Sequence, residues 1–571
     1  MLLLSIVIGL LDGLGLTMFL PLLQMADGGS ATSGEGLGNL GFLVDGINYV
    51  GIDLNIKAVL LMLFLFFTIK GIVVFYASVY KVKISQFFIS KLRIDLTTLF
   101  TMYSFRAFVT SDIGRIQNSF TGEIAKISGA YVNYSECIQQ FVLVLVYLGF
   151  VFMVDWKFAL LVCLGGLLSN LFFSNLFKKT KQQSGELSKN NSNYQGLIIQ
   201  YIANFKYLKA TGFLKVYADK LVSGIKEVEH NNSQIGFLNA RITALREPFM
   251  IGIVCLVILI QITYLKGNLG AIMVSLLFFY RALSALMAFQ SKYNNFLGAS
   301  GSLENIANFE SELKRNLEVN GVVELSKFTD TIQLRGTNFG YNANDGILKD
   351  INLTVKKNEI VAFVGESGSG KTTLVNLISG LLQPNSGFIF IDGISQTELN
   401  MSSYQSRIGY ISQDPVMFND SIYNNVTFWA SPTEQNILKF KESIKKAALT
   451  DYIDGLKEKE QTLLGNNGIN LSGGQKQRVS IARELFKEID ILILDEATSA
   501  LDSETEREIQ DNIDALKGNY TILIIAHRLA TIKNADTIYL MDKGAIVGMG
   551  DFEALTASSD RFKRMVELQE I

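Results

Sequence analysis

Cysteine and histidine are scarce, with three of the first and two of the second in 571 residues. Cys137, Cys163 and Cys255 lie within or beside apolar segments far apart in the chain. That spacing excludes a disulfide framework or a cysteine-rich metal cage and reads as unpaired core thiols. His230 and His527 are the only candidates for any role of an imidazole. An excess of one charge is also missing: 51 Lys and Arg against 53 Asp and Glu leave a formal charge of -2, which argues against a nucleic-acid binder. The N-terminal stretch has neither a basic leading region nor a small-residue cleavage site, so Leu2 to Leu23 reads as a retained membrane helix and not a signal peptide. Apolar residues, by contrast, make up 49% of the chain, with a mean hydropathy of +0.27. Such a chain is too apolar to be wholly soluble and too long for one ordinary domain.

Apolar runs recur at about 2–23, 57–80, 138–154, 158–177, 249–265 and 271–289, which makes six candidate spans of roughly the 20 helical residues that a hydrocarbon core requires. The loop Met25 to Ile56 contains Asp27, Glu35, Asp45 and Asp53 but no lysine or arginine, whereas Lys81–Tyr134 and Lys178–Glu247 are long and basic. The positive-inside rule places the basic segments in the cytoplasm and the acidic loop outside. Asp12, Lys70 and Arg281 fall near the middle of apolar runs and are expected to face the protein interior, since a charge facing lipid costs about 3 kcal/mol or more. They either neutralise one another, Asp12 against Lys70 for example, or touch a substrate; a leftover Arg281 favours an anionic cargo. Residues 299–331 turn charged and polar and read as a linker holding a solvated helix. The chain is expected to divide into a membrane domain at 1–298, this linker, and a second domain at 332–571.

The second domain is built around Gly365-Glu366-Ser367-Gly368-Ser369-Gly370-Lys371-Thr372, a match to the phosphate-binding pattern G-x-x-x-x-G-K-[ST]. Ile360 to Val364 before it reads as a buried strand, and Thr373 to Leu382 after it has helical periodicity. Strand, loop and helix are the context the motif needs. The glycines let successive backbone amides point inward, so a polyphosphate meets N–H donors and the positive end of a helix dipole from Gly365 through Thr373. Lys371 adds a point charge on the β and γ phosphates, and the Thr372 hydroxyl can ligate the accompanying Mg²⁺. Downstream, the apolar strand Ile491 to Leu494 delivers Asp495 as a second hold on Mg²⁺, beside Glu496, which can orient and deprotonate an attacking water. His527, at the end of the strand Thr521 to Ala526, reaches a γ-phosphate only if that strand lies beside the Asp495 strand, as parallel order predicts. Residues 332 to 364 alternate like antiparallel strands, and Tyr341 stands where a ring can stack on adenine.

Leu471-Ser472-Gly473-Gly474-Gln475 resembles the signature of ATP-binding-cassette transporters, and together with the six spans the chain resembles a half-size exporter of that family. The fold class this implies is an all-α six-helix transmembrane domain followed by an α/β P-loop ABC ATPase domain. The resemblance implies that Tyr341 stacks on adenine, that Gln413 senses Mg²⁺ and water, that His527 is the switch histidine, and that Ser499 to Asp502 forms the loop crossing between subunits. It further implies that Ser472, Gly473, Gly474 and Gln475 act on the nucleotide of a second copy, so that a homodimer sandwiches two ATP molecules with Mg²⁺. Two departures stand out. Asn466 occupies a loop in which exporters usually carry an acidic residue, and Met1 opens directly into apolar sequence where they usually begin with a helix lying along the membrane.

By this resemblance the chain is expected in a bacterial inner membrane as a multi-pass protein with a cytoplasmic ATPase domain, exporting a lipid-like, glycolipid or amphipathic substrate. The cytoplasmic ends near Thr110–Ser119 and Asn204–Gly212 are expected to carry cassette closure to the spans. Residues 12–21, 119–124 and 280–283 are similar to lipid-linked oligosaccharide flippases, which makes such a glycolipid the narrower alternative. An ATP-gated channel or regulator is the reading from a different class.

Overall fold

The computed structural model describes residues 2–19, 22, 55–154, 156–263, 269–342, 345–495, 511, 516–526 and 532–568. Two compact units result, one of residues 1–103 and 110–317, the other of 104–109 and 318–571.

Six helices carry the apolar runs of the first unit: α1 (Leu2–Thr17), α2 (Ile56–Thr101), α3 (Ile124–Val154), α4 (Trp156–Ala203), α5 (Leu214–Thr263) and α6 (Leu269–Leu297). Helix α2 starts at Asn55, whose side chain accepts from the Ala58 amide at 2.8 Å, an N-cap that satisfies one otherwise orphaned donor. Its 46 residues rise about 69 Å, more than twice the hydrocarbon thickness, and the excess is the charged continuation after Lys81. Where α1, α3 and α6 meet, Ile8, Leu16, Leu143, Phe150 and Phe278 are buried, with the Phe150 and Phe278 rings stacked at 5.0 Å. Gly13 is required there: a Cβ at this position would lie 2.1 Å from the Phe150 ring. The three thiols are unpaired, but only Cys137 is buried, while Cys163 is half-buried and Cys255 exposed. An apolar span has an outer face, so the expectation of three core thiols fails for Cys255.

The helix α7 (Ser300–Arg315) corrects the solvated-helix reading of the linker. Ile306, Phe309 and Leu313, at helical spacing, are buried on one face, and Phe309 meets Phe120 edge-on at 5.8 Å. Its polar face is engaged as well: Arg115 forms an ion pair with Glu312 at 2.6 Å, and the Tyr103 hydroxyl donates to Glu312 Oε1 at 2.9 Å. Charged residues were the visible part of an amphipathic pattern.

The second unit contains two sheets. Strands β1 (Thr331–Phe339), β2 (Leu348–Lys356), β4 (Ser386–Ile391) and β5 (Ile394–Ser395) form an antiparallel sheet in the order β2-β1-β4-β5. The other, in the order β10-β9-β3-β8-β7-β6, combines β3 (Ile360–Gly365), β6 (Ile408–Ile411), β7 (Ile491–Asp495), β8 (Thr521–Ile525), β9 (Thr537–Asp542) and β10 (Ala545–Gly550). Its strands are parallel apart from β10. Antiparallel alternation therefore ends with β2, because every residue of β3 is buried, as suits a parallel strand covered on both faces. Helix α8 (Lys371–Ile378) follows β3 after the loop 366–370.

Candidate nucleotide site

The loop between β3 and α8 owes its shape to glycine. Gly368 and Gly370 have φ of 80° and 100°, values that side-chain-bearing residues avoid. At Gly365 an added Cβ would come within 2.2 Å of the Met541 carbonyl on the neighbouring strand β9. Lys371 is buried, and its ammonium donates to the carbonyls of Gly365 at 2.8 Å and Glu366 at 3.0 Å, which holds the positive charge over the loop. Ile347, Ser367, Gly368, Gly370, Lys371, Thr372 and Thr373 line a pocket of about 340 Å³. The buried hydroxyl of Ser369 has no hydrogen-bond partner among the described residues. A cradle too tight for a Cβ, a lysine folded over it and an unpaired hydroxyl in the same turn suit a polyphosphate.

Parallel pairing then assembles the rest. Ile411 pairs with Leu494, so β6 delivers the exposed Gln413 to the end of the sheet where Asp495 closes β7. Asp495 pairs in turn with Ile525, which puts the strand leading to His527 beside the Asp495 strand, as the sequence order predicts. The Tyr410 hydroxyl donates to Asp495 Oδ2 at 2.8 Å, and burial raises the phenol above its ordinary range, so the proton stays on tyrosine. Sequence reasoning gave Tyr410 no role; a hydroxyl one strand away leaves no trace in spacing. Glu496, Ser499 to Asp502 and His527 lie outside the described residues. Thr372, Gln413 and Asp495 carry oxygen donors that could hold Mg²⁺, an ion that would supply charge neutralisation on the phosphates.

Tyr341 is half-buried and packs edge-on against Phe339 at 5.2 Å. Its carbonyl accepts two bonds from Arg106, at 2.8 and 3.2 Å, and the same guanidinium donates to the Gly340 carbonyl at 2.9 Å. Arg106 belongs to the short helix Phe105–Thr110, of which residues 105–109 cluster with the second unit. Contact in space, and no sequence signal, assigns this segment to the second unit.

Ser472 caps the helix α9 (Gly473–Phe486): its hydroxyl accepts from the Gln475 amide at 3.3 Å, while its own amide donates to Gln475 Oε1 at 2.8 Å. Locked in this way, Ser472 and Gly473 are exposed and Gly474 is buried. Among the described residues, none of 472–475 lines the phosphate pocket. Further along α9, buried Arg483 donates to the carbonyls of Asn425 and Val416 at 2.6 and 2.7 Å, tying the segment that follows Gln413 to the signature helix.

Residues 348–499 match the family described as ABC transporter. A heterocyst differentiation ATP-binding protein, HepA, of a Nostoc species is 30% identical over 474 residues, spanning 81% of this chain and 76% of that protein. The chain belongs to the ABC transporter family. An ATP-dependent lipid A-core flippase of Syntrophus aciditrophicus is 28% identical over 547 residues, covering 93% of this ABC transporter and 89% of the flippase. The solved structure of a bacterial Atm1-family ABC exporter with ATP bound matches the whole chain with a TM-score of 0.81 at 22% identity, which establishes the shared fold of a helical domain followed by an ABC ATPase. The phosphate loop, Asp495 and the signature thus belong to an ATP-hydrolysing cassette attached to a multi-pass membrane domain.

Proposed function

We propose that this ABC exporter moves a lipid-like, glycolipid or otherwise amphipathic cargo outward from the cytoplasmic side of a bacterial inner membrane, as a dimer of two identical chains. The observation carrying the dimer is the one-sided phosphate pocket: residues from Ser367 to Thr373 line it, while the signature serine is held rigid and exposed elsewhere on the same cassette. A second cassette turned head to tail supplies Ser472 and Gly474 to that pocket.

In this reading Lys371 and the loop amides bind the phosphates, Thr372, Gln413 and Asp495 would hold Mg²⁺, and Tyr341 stacks on the base. Glu496 takes the proton of the attacking water, and His527 and Gln413 orient the γ-phosphate and that water. Closure over ATP turns the cavity outward. Hydrolysis removes the contacts that held the signature, and the cassettes reopen. The relative named as a lipid A-core flippase supports a lipid-like cargo. A lipid-linked oligosaccharide is the narrower candidate within that class.

The test is reconstitution of the full chain in liposomes with fluorescent phospholipids and glycolipids, following ATP-dependent change of leaflet. Lipid movement that requires ATP and stops in Glu496→Gln supports the reading. A many-ion electrical current opened by ATP, with no lipid movement, replaces it with a gated channel.

A further inference from the structure

The phosphate-binding pattern fixes two glycines, Lys371 and Thr372 and leaves the positions between the glycines open, and this chain fills the first of them with glutamate. Glu366 is a charge of the wrong sign for its place. Ser367, the next residue, lines the phosphate pocket, and the Glu366 carbonyl accepts from the Lys371 ammonium at 3.0 Å and from the Ser369 amide at 3.1 Å. A carboxylate on this residue repels the polyanion that Lys371 and the loop amides attract.

The cation that answers it comes from the far end of the chain. Helix α10 (Asp560–Glu567) is seated in the cassette core by Phe562 and Val566, with the Phe562 ring edge-on to Phe552 at 5.5 Å. Its start is capped by Ser559, whose hydroxyl accepts from the Phe562 amide at 3.3 Å. So anchored, the helix holds Arg561 between two carboxylates: Nη2 lies 2.9 Å from Glu366 Oε1, and Nη1 lies 2.5 Å from Asp542 Oδ2. Asp542 ends β9, the strand whose Met541 carbonyl crowds Gly365, and the turn after it returns to the loop, where the Gly544 amide donates to the Ser369 carbonyl at 3.1 Å. The hydrogen bond from Arg561 holds the Asp542 carboxyl below its ordinary range, so this end of the tie is charged at neutral pH.

The side chains of Glu366 and Arg561 are 74% and 36% exposed, and pairs so open to solvent add little to stability. Their effect lies in the field at the pocket. Among the described residues, Arg561 is the one ion-pair partner of Glu366.

We infer that Arg561 is a positioning residue for ATP: from the C-terminal helix it neutralises Glu366 and steadies the carbonyl on which Lys371 rests. Loss of the guanidinium leaves two carboxylates facing the site and weakens nucleotide binding, while the hydrolytic step continues. The triphosphate carries one more negative charge than the diphosphate, so the penalty falls harder on ATP than on ADP. The inference concerns nucleotide binding by the cassette and is independent of the cargo.

The experiment uses the full chain in phosphatidylcholine nanodiscs, with KM and kcat for ATP and inhibition by ADP measured at two salt concentrations. R561Q is expected to raise KM about threefold at about 0.05 M salt, to raise the ADP inhibition constant less, and to leave kcat within about twofold. Most of the increase in KM should vanish at about 0.5 M salt, where the Debye length is about 4 Å. R561K, which keeps the charge, should stay near the wild type. E366Q in the R561Q background should lower KM again, a rescue that a displaced helix does not give. An unchanged KM in R561Q, a loss confined to kcat, or a double variant no better than R561Q overturns the inference.

Discussion

The Tyr410 hydroxyl donates to the Asp495 carboxylate at 2.8 Å, linking the strand that leads to Gln413 with the strand that ends beside Glu496. Tyr410→Phe removes that one donor and keeps the packing. The expected result is an increase of about tenfold in the Mg²⁺ concentration that half-saturates ATP hydrolysis, because a carboxylate that loses a hydrogen bond is held less firmly in its ligating pose. An unchanged Mg²⁺ titration would remove Tyr410 from the site.

Glu496→Gln should lower ATP turnover on the order of a hundredfold or more while ATP still binds, since the amide keeps the shape and loses the proton acceptor. Turnover and equilibrium nucleotide binding, measured on the same preparation, separate this from a folding defect. Normal turnover would take Glu496 out of the base role.

Composite sites predict a complementation that isolated sites forbid. Lys371→Ala and Ser472→Arg should each abolish hydrolysis as homodimers. A mixed dimer, purified through two different tags, should recover activity, because one pocket pairs an intact phosphate loop with an intact signature. No recovery in a verified mixed dimer would argue against signature action in trans.

Arg483 is buried with three donors spent on the Asn425 carbonyl, the Asn425 side chain and the Val416 carbonyl. Truncation leaves these acceptors unpaired in the core of the cassette, so Arg483→Ala should cost about 3 kcal/mol or more. Thermal melting checks this, and a loss under about 1 kcal/mol would show that water replaces the guanidinium.

The hydrogen bond from Arg115 holds the Glu312 carboxyl below its ordinary range. The pair's contribution to docking of α7 is therefore complete above the unfolded glutamate value of about 4.3 and fades as pH falls through the lowered one. Hydrogen exchange across Ser300–Arg315 should be flat near neutrality and rise in that acidic window beyond the intrinsic acid trend, and Glu312→Gln should abolish the excess.

How much was legible depended on the range over which each signal acts. Hydropathy, the phosphate loop and the signature are contiguous, and their chemistry is carried by neighbouring residues, so the chain alone determined a membrane half joined to an ATP-hydrolysing cassette. Strand order followed too, because parallel pairing makes the Asp495 and His527 strands neighbours. Side-chain partners across elements carry no spacing signal, and those came only from the tertiary structure: Arg106 on the Tyr341 carbonyl, Tyr410 on Asp495, and the buried face of α7. Lys70 and Lys81, like Arg281 and Lys292, stand eleven positions apart in the sequence. That spacing became meaningful once packing brought α2, α3 and α6 together around Asp12 and Glu136, because one carboxylate shared by two cations is a property of contact, and contact is what a linear chain does not specify.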